Sequence, residues 1–211
     1  MPICDFLLFG IFNMLDAVYR GTSILKFQVP DYFYLAVIAI LPMIPIHLNE
    51  VLDKLKGPTR EQLIVGNQWA VSALERYHHE GLAKFEFVVD GIRHTSKISW
   101  DSSFSRAAMQ ERIDMAHHGG VALAMFLMAV HLDYGYVEQT EIGQGTDYKF
   151  MKMPPSDDDL NFMQGGHYVE VSGLLEETGS NTLRSRITDK HAQIRRGRGI
   201  KREASVVVTL F

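Results

Sequence analysis

From residue 105 onward the hydrophobic pattern of this chain switches period several times, and that order limits the fold more than any other feature. SRAAMQERIDMAHHGGVALAMFLMAV, residues 105–130, carries a helical pattern that becomes apolar all round in its second half, so it predicts a long or broken helix that is buried. Gly119-Gly120 marks either a kink or a tight packing point. HLDYGYVEQTEI (131–142), TDYKFMKM (146–153) and HYVEVSGLL (167–175) are rich in β formers, separated by a GQG turn at 143–145 and the polar break PPSDDD at 154–159. A helix then begins near Ser180-Asn181 and runs through LRSRITDKHAQIRR, and ASVVVTLF closes the chain. The expected order is helix, strand, strand, strand, helix, strand, an α/β arrangement. The last run is apolar on both faces and reads as an interior strand.

Residues 1–104 read as an extension in front of a core at 105–211. HLNEVLDKLKG places Leu48, Val51, Leu52 and Leu55 at helical spacing and stops at Gly57-Pro58. A second helix is expected over 60–81, and AKFEFVVDGIRHTSKISW predicts a β-hairpin over 83–100 around Asp90-Gly91. Arg93, Lys97 and Trp100 put basic and aromatic side chains on that hairpin, which serves either as a structural edge or as a binding surface. FLLFGIF at 6–12 and YFYLAVIAILPMIPI at 32–46 are among the most apolar stretches. The second falls short of the roughly 20 residues that span a bilayer and contains Pro42 and Pro45. A buried helix or an arm for homo-oligomer formation is therefore expected in preference to a membrane span, and a membrane-tethered chain is the lesser reading.

Of the 211 residues, 46% are hydrophobic and 22% charged, which suits a folding chain and argues against global disorder. Cys4 is the single cysteine, so no intramolecular disulfide or thiol zinc site exists, and a reducing, cytoplasmic setting is expected. The net charge of -4 hides a local reversal. Eight of the 21 basic side chains lie between Arg184 and Arg202, opposed there only by Asp189. Such a run is either a solvated face or a surface for a phosphate backbone.

The residues that carry chemistry surround Glu170, a carboxylate inside an apolar strand. Alternation puts Tyr168, Glu170 and Ser172 on one face and His167, Val169 and Val171 on the other. The bland explanation is a strand with one wet face. The other follows from parity: Asp147 and Lys149 share a face of the preceding strand, and if the strands are neighbours Asp147 and Glu170 share a site. Two close carboxylates repel unless a proton or cation relieves them, and oxygen ligands suit Mg²⁺ or Mn²⁺. On the next helix Lys190 falls on the stripe of Leu183, Ile187 and Ile194, with Arg186 and Gln193 one turn to either side, so it is placed to reach back to the sheet. Arg195 and Arg196 are expected to point to solvent, where they and Arg184 and Arg186 would meet a nucleic acid backbone.

The αβββαβ order, Asp147 on the second strand, Glu170-Val171-Ser172 on the third and Lys190 with Gln193 on the following helix together resemble the PD-(D/E)XK nuclease superfamily over about residues 105–211. The stretches GQGTDY and YVEVSG look like those of an uncharacterised bacterial branch of that superfamily. The resemblance implies a restriction endonuclease-like core, a mixed sheet flanked by helices, and a Mg²⁺- or Mn²⁺-dependent nuclease that hydrolyses phosphodiester bonds in DNA or RNA. It makes Asp147 and Glu170 metal ligands and, with Lys190, the catalytic set, supported by Lys149, Ser172, Gln193 and Glu111. Two positions depart from the pattern. The lysine expected two residues after Glu170 is Ser172, so its charge must come from Lys149 or Lys190; migration to the following helix is known in the superfamily and favours Lys190. The further Glu of the first core helix falls near AHHGG, where Glu111, Asp114, His117 or His118 would have to replace it. A nuclease-like binding or assembly module without catalysis is the alternative that these departures leave open.

Other chemistries find less support. Adjacent histidines such as His78-His79 and His117-His118 point about 100° apart on a helix and chelate poorly. GQG lacks the lysine of a phosphate loop, and no G-x-S-x-G elbow is present.

Overall fold

The apolar run after residue 111 becomes one unbroken helix that takes part in two hydrophobic cores. The computed structural model describes residues 44–78, 81–89, 92–101, 111–141, 143, 145–155, 166–197 and 204–211, all within the compact unit Met43–Phe211. The 6–12 stretch, most of 32–46, the Asp90-Gly91 turn, residues 105–110, most of PPSDDD and the arginines and lysine between 198 and 202 lie outside the described residues.

Short β1 (Ile46–His47) leads through a turn of 3-10 helix (Leu48–Glu50) into α1 (Val51–Lys54), and α2 follows at Arg60–Tyr77. Thr59 fixes the start of α2 through a reciprocal cap: its Oγ accepts from the Gln62 N–H, and Gln62 Oε1 accepts from the Thr59 N–H. Strands β2 (Leu82–Val89) and β3 (Ile92–Ser99) form the expected antiparallel hairpin, and β1 joins β3 in parallel, giving the order β1-β3-β2.

The second half runs α3 (Arg112–Phe126, extended by a π-helical turn at Leu127–His131), β4 (Tyr136–Gln139), β5 (Tyr148–Met151), β6 (His167–Leu174), α4 (Leu183–Arg196) and β7 (Ala204–Leu210). Its sheet has the order β4-β5-β6-β7, antiparallel at the first two junctions and parallel at the last. The chain is thus mixed α/β, with two mixed sheets flanked by helices.

Helix α3 explains its own apolarity. Ala124 and Met128 enter a core with Val137, Phe150, Val169 and Val171, while Ala122 and Phe126 enter another with Leu74, Ala83 and Ile98. Burying a side chain the size of Phe126 or Phe150 stabilises the fold by about 1.5–3 kcal/mol. The segment Arg112–His131 is long and apolar enough to cross a membrane, and its Ala, Met and Phe side chains supply part of both cores. Gly119-Gly120 proves to be a packing point, not a kink: Gly119 lies against the backbone of Trp69 and Ala70 on α2, and Gly120 against that of Gly173 on β6.

Strand β7 corrects one expectation. It forms the edge of its sheet among the described residues, not an interior strand. Its two apolar faces are accounted for by helices, since α3 and α4 both pack on it.

Candidate active site

The parity inferred for β6 holds in three dimensions. Val169 and Val171 belong to the core that α3 enters, while Glu170 faces α4. The register Tyr148↔Val169, continued by one residue, sets Asp147 opposite Glu170, just before β5 begins, and the Asp147 N–H donates to the Val169 carbonyl at 3.0 Å. Asp147 Oδ2 accepts from the Val171 N–H at 2.8 Å, which anchors its carboxylate to the neighbouring strand.

Glu170 has no exposed surface, so the wet-face explanation fails. Its Oε1 accepts from Lys190 Nζ and, at 2.6 Å, from Gln193 Nε2, both on α4. Its Oε2 is buried without a hydrogen-bond partner. Burial pushes the Glu170 carboxyl above its ordinary range and the Asp147 charge pushes the same way, opposed by Lys190 and Gln193. Capping places that helix: Thr182 Oγ1 accepts from the Ser185 N–H at 3.1 Å. Gly145 in the GQG turn has φ +81°, and a side chain there would strike the Gln193 carbonyl and Gly197, so glycine lets the turn before Asp147 close onto the end of α4.

A cleft of about 860 Å³ opens beside this centre. Asp147, Gln193, Arg196 and Asp189 line one part and His117 and Val121 of α3 another. Thr146 also lines it, with a buried Oγ1 that lacks a hydrogen-bond partner.

The other residues singled out from sequence are distributed as follows. Lys149 forms an ion pair with Glu138 of β4 at 3.1 Å, its stem lying over Gly166. Ser172 is buried two positions after Glu170 and brings no charge. Glu111 is exposed and caps α3, its Oε1 accepting from the Ile113 N–H at 3.3 Å, and His117, not Glu111, lines the cleft. Arg184 and Arg195 are exposed, Arg186 donates to Asn181 Oδ1 at 2.8 Å, and of these four arginines Arg196 alone lines the cleft among the described residues. Arg196 is exposed, as expected, and the turn at Gly197 against Gly145 sets that solvent-facing helix end at the rim of the cleft.

Comparison with protein-family models, with curated proteins and with solved structures yields no match to this chain.

Among the described residues no group of three or more His, Cys, Asp or Glu side chains is arranged to hold a metal ion. The candidate donors are Asp147 and Glu170. Mg²⁺ commonly uses one or two carboxylates and retains waters, and the orphaned Oε2 of Glu170 is the kind of acceptor such an ion would satisfy, so the residues fit on donor chemistry.

Proposed function

We propose that this chain is a metal-dependent phosphodiesterase acting on nucleic acid, built on a restriction endonuclease-like core. The observation that carries the reading is the convergence of Lys190 and Gln193 on one oxygen of Glu170, with the other oxygen unpartnered and Asp147 close enough for its charge to act on it. A purely structural buried carboxylate would be expected to have both oxygens satisfied. The element order from α3 to β7 supports the core assignment.

In this reading Asp147 and Glu170 hold Mg²⁺ or Mn²⁺, which supplies Lewis acidity toward a phosphoryl oxygen. The chain's own residues do the rest. Val171 holds the Asp147 carboxylate through its N–H, and Gln193 fixes the orientation of Glu170. Lys190 stands in for the lysine absent at Ser172; its ammonium offsets the buried carboxylate and favours negative charge developing on the phosphate. Arg196 in the cleft pairs with the phosphate backbone, and Arg184, Arg186 and Arg195 extend that basic helix.

A second reading rests on the same ion pair. Lys190 already neutralises Glu170 without a metal ion, which suits a nuclease-like binding module that has given up catalysis.

Incubating the full chain with labelled single- and double-stranded DNA and RNA, in Mg²⁺, Mn²⁺ or EDTA, separates the two. The nuclease reading requires cleavage that needs metal and disappears in Asp147→Asn and Glu170→Gln. Binding that survives both substitutions, weakens with salt and is never followed by cleavage assigns the chain to the second reading. In either case Arg196→Ala should reduce the slope of log affinity against log salt by about 1.

A further inference from the structure

A second groove, of about 870 Å³, runs between α2, α3 and β4. It meets the cleft at Val121, Gln139 and Tyr148, which line both. Tyr148 pairs with Val169 on the α3 side of the sheet and, like Asp147, lines the cleft, so the groove opens from the cleft that holds the candidate catalytic carboxylate.

Its lining differs from that of the cleft. Trp69, His118, Tyr136 and Tyr148 contribute aromatic rings, with the Trp69 and His118 rings 5.7 Å apart and tilted by 36°. Among the described residues no lysine or arginine lines it, whereas Arg196 lines the cleft. Its carboxylates are Glu61 and Glu138, the latter paired with Lys149 at 3.1 Å. A phosphate gains nothing there. A neutral, flat, hydrogen-bonding ring gains aromatic faces and the amide of Gln139, and the volume lies within the range of small-molecule sites.

We propose that this groove is a nucleobase subsite, holding the base of a nucleotide next to the phosphodiester in the cleft, and that the substrate is therefore single-stranded nucleic acid. The inference rests on the nucleic acid reading of the cleft. In a duplex the faces of a base are stacked on its neighbours, so a base can lie against Trp69 and Tyr136 only where the strand is unpaired. The division of labour follows the charges: backbone at the Arg196 side, base at the aromatic side.

The test uses the full chain in EDTA, with the fluorescence anisotropy of end-labelled strands reporting affinity and tryptophan fluorescence reporting stacking. Trp100 is buried at 5% exposure while Trp69 lines the groove, so a base stacking there quenches mainly Trp69. The probes are a single-stranded DNA oligonucleotide, the same backbone made abasic, the corresponding RNA strand and the duplex. Expected are quenching by the base-bearing single strands, affinity roughly tenfold above the abasic strand, and no such advantage for the duplex. Trp69→Leu should remove the affinity advantage of base-bearing over abasic strands. Trp69 also packs on a small core with Ala73, Met115 and Leu175, so Tyr136→Ala is the second variant, and the comparison of base-bearing with abasic strands on the unaltered protein needs none.

Equal affinity for base-bearing and abasic strands overturns the subsite, as does an affinity advantage that survives Trp69→Leu or a failure of every oligonucleotide to bind. The two readings fail separately. Metal-dependent cleavage indifferent to Trp69 removes the subsite alone; base-dependent binding without cleavage keeps it and removes the nuclease.

Discussion

Gln193 donates from Nε2 to Glu170 Oε1 at 2.6 Å, the same oxygen that Lys190 holds, so two side chains one turn apart on α4 are tied to a carboxylate with no exposed surface. A hydrogen bond to a charged group contributes about 1.5–3 kcal/mol net, and removing it leaves part of the buried charge uncompensated. Gln193→Leu should therefore cost about 2 kcal/mol in a urea titration. In a Glu170→Leu background the same change should cost much less, because, of its side-chain partners, only Lys190 Nζ, 3.4 Å from Gln193 Oε1, remains. A double-mutant cycle with coupling under about 0.5 kcal/mol would show that α4 is held to β6 by something else.

The two lysines separate a catalytic cation from a structural one. Lys190 lies on Glu170, whereas Lys149 pairs with Glu138 on the neighbouring strand. Removing a group that stabilises developing charge typically slows the chemical step by about 10²–10³, so Lys190→Met should lower metal-dependent cleavage by that factor. Lys149→Met should leave cleavage within a few-fold once both variants are shown to be folded by circular dichroism. The reverse ranking would move the site's cation to β5.

Much of this centre is legible from periodicity alone. A period of two fixes which face Glu170 takes, and helical spacing puts Lys190 on the stripe that faces the sheet. What periodicity cannot give is what covers a face. ASVVVTLF is apolar on both sides because α3 and α4 cover it, and one-dimensional pattern does not distinguish that from flanking strands. Glu170 is enclosed for the same reason, by a helix that begins nine residues after its strand ends. Helical spacing puts Arg196 at solvent, where it is, but not at the cleft, because that depends on how Gly197 meets Gly145, a contact between residues far apart in sequence. The Trp69 and Tyr136 groove had no sequence signal at all, since its walls come from α2, α3 and β4 and carry no shared motif.

Helix α3 approaches β6 closely at Gly173, where an added Cβ would fall on the carbonyl oxygen of Ala116. The obstacle is backbone, which no rotamer change relieves. Overpacking of this kind costs about 1–3 kcal/mol and occasionally more, so Gly173→Ala should destabilise by at least about 2 kcal/mol. The displacement of α3 from β6 should also reduce any cleavage. Gly179 offers a control, because nothing lies within 4 Å of its added Cβ. Gly179→Ala should be neutral or stabilise by about 0.4–1 kcal/mol through the unfolded chain. Equal effects at the two sites, read from denaturant midpoints, would mean that α3 does not pack as closely as described.

The last prediction concerns pH. His131 ends the π-helical turn among Phe85, Phe87 and Phe126, with ring centroids 5.5, 5.0 and 5.7 Å away, and its Nε2 is buried without a partner. Burial holds its pKa below the ordinary 6.5, and the charges of Lys54 and His94 push the same way against Glu50. The unfolded chain therefore binds this proton more readily than the folded one. Its contribution is fully present above the unfolded value of 6.5 and is lost as pH falls through the window between that value and the lower folded one. His131→Phe removes the titration and keeps an aromatic ring in the cluster. The stability of the variant minus that of the parent should rise as pH is lowered from 7.5 to 5, because every other titrating group is common to both. Guanidinium denaturation across that range measures the difference directly, and a difference that stays constant would place the His131 ring in water rather than among the phenylalanines.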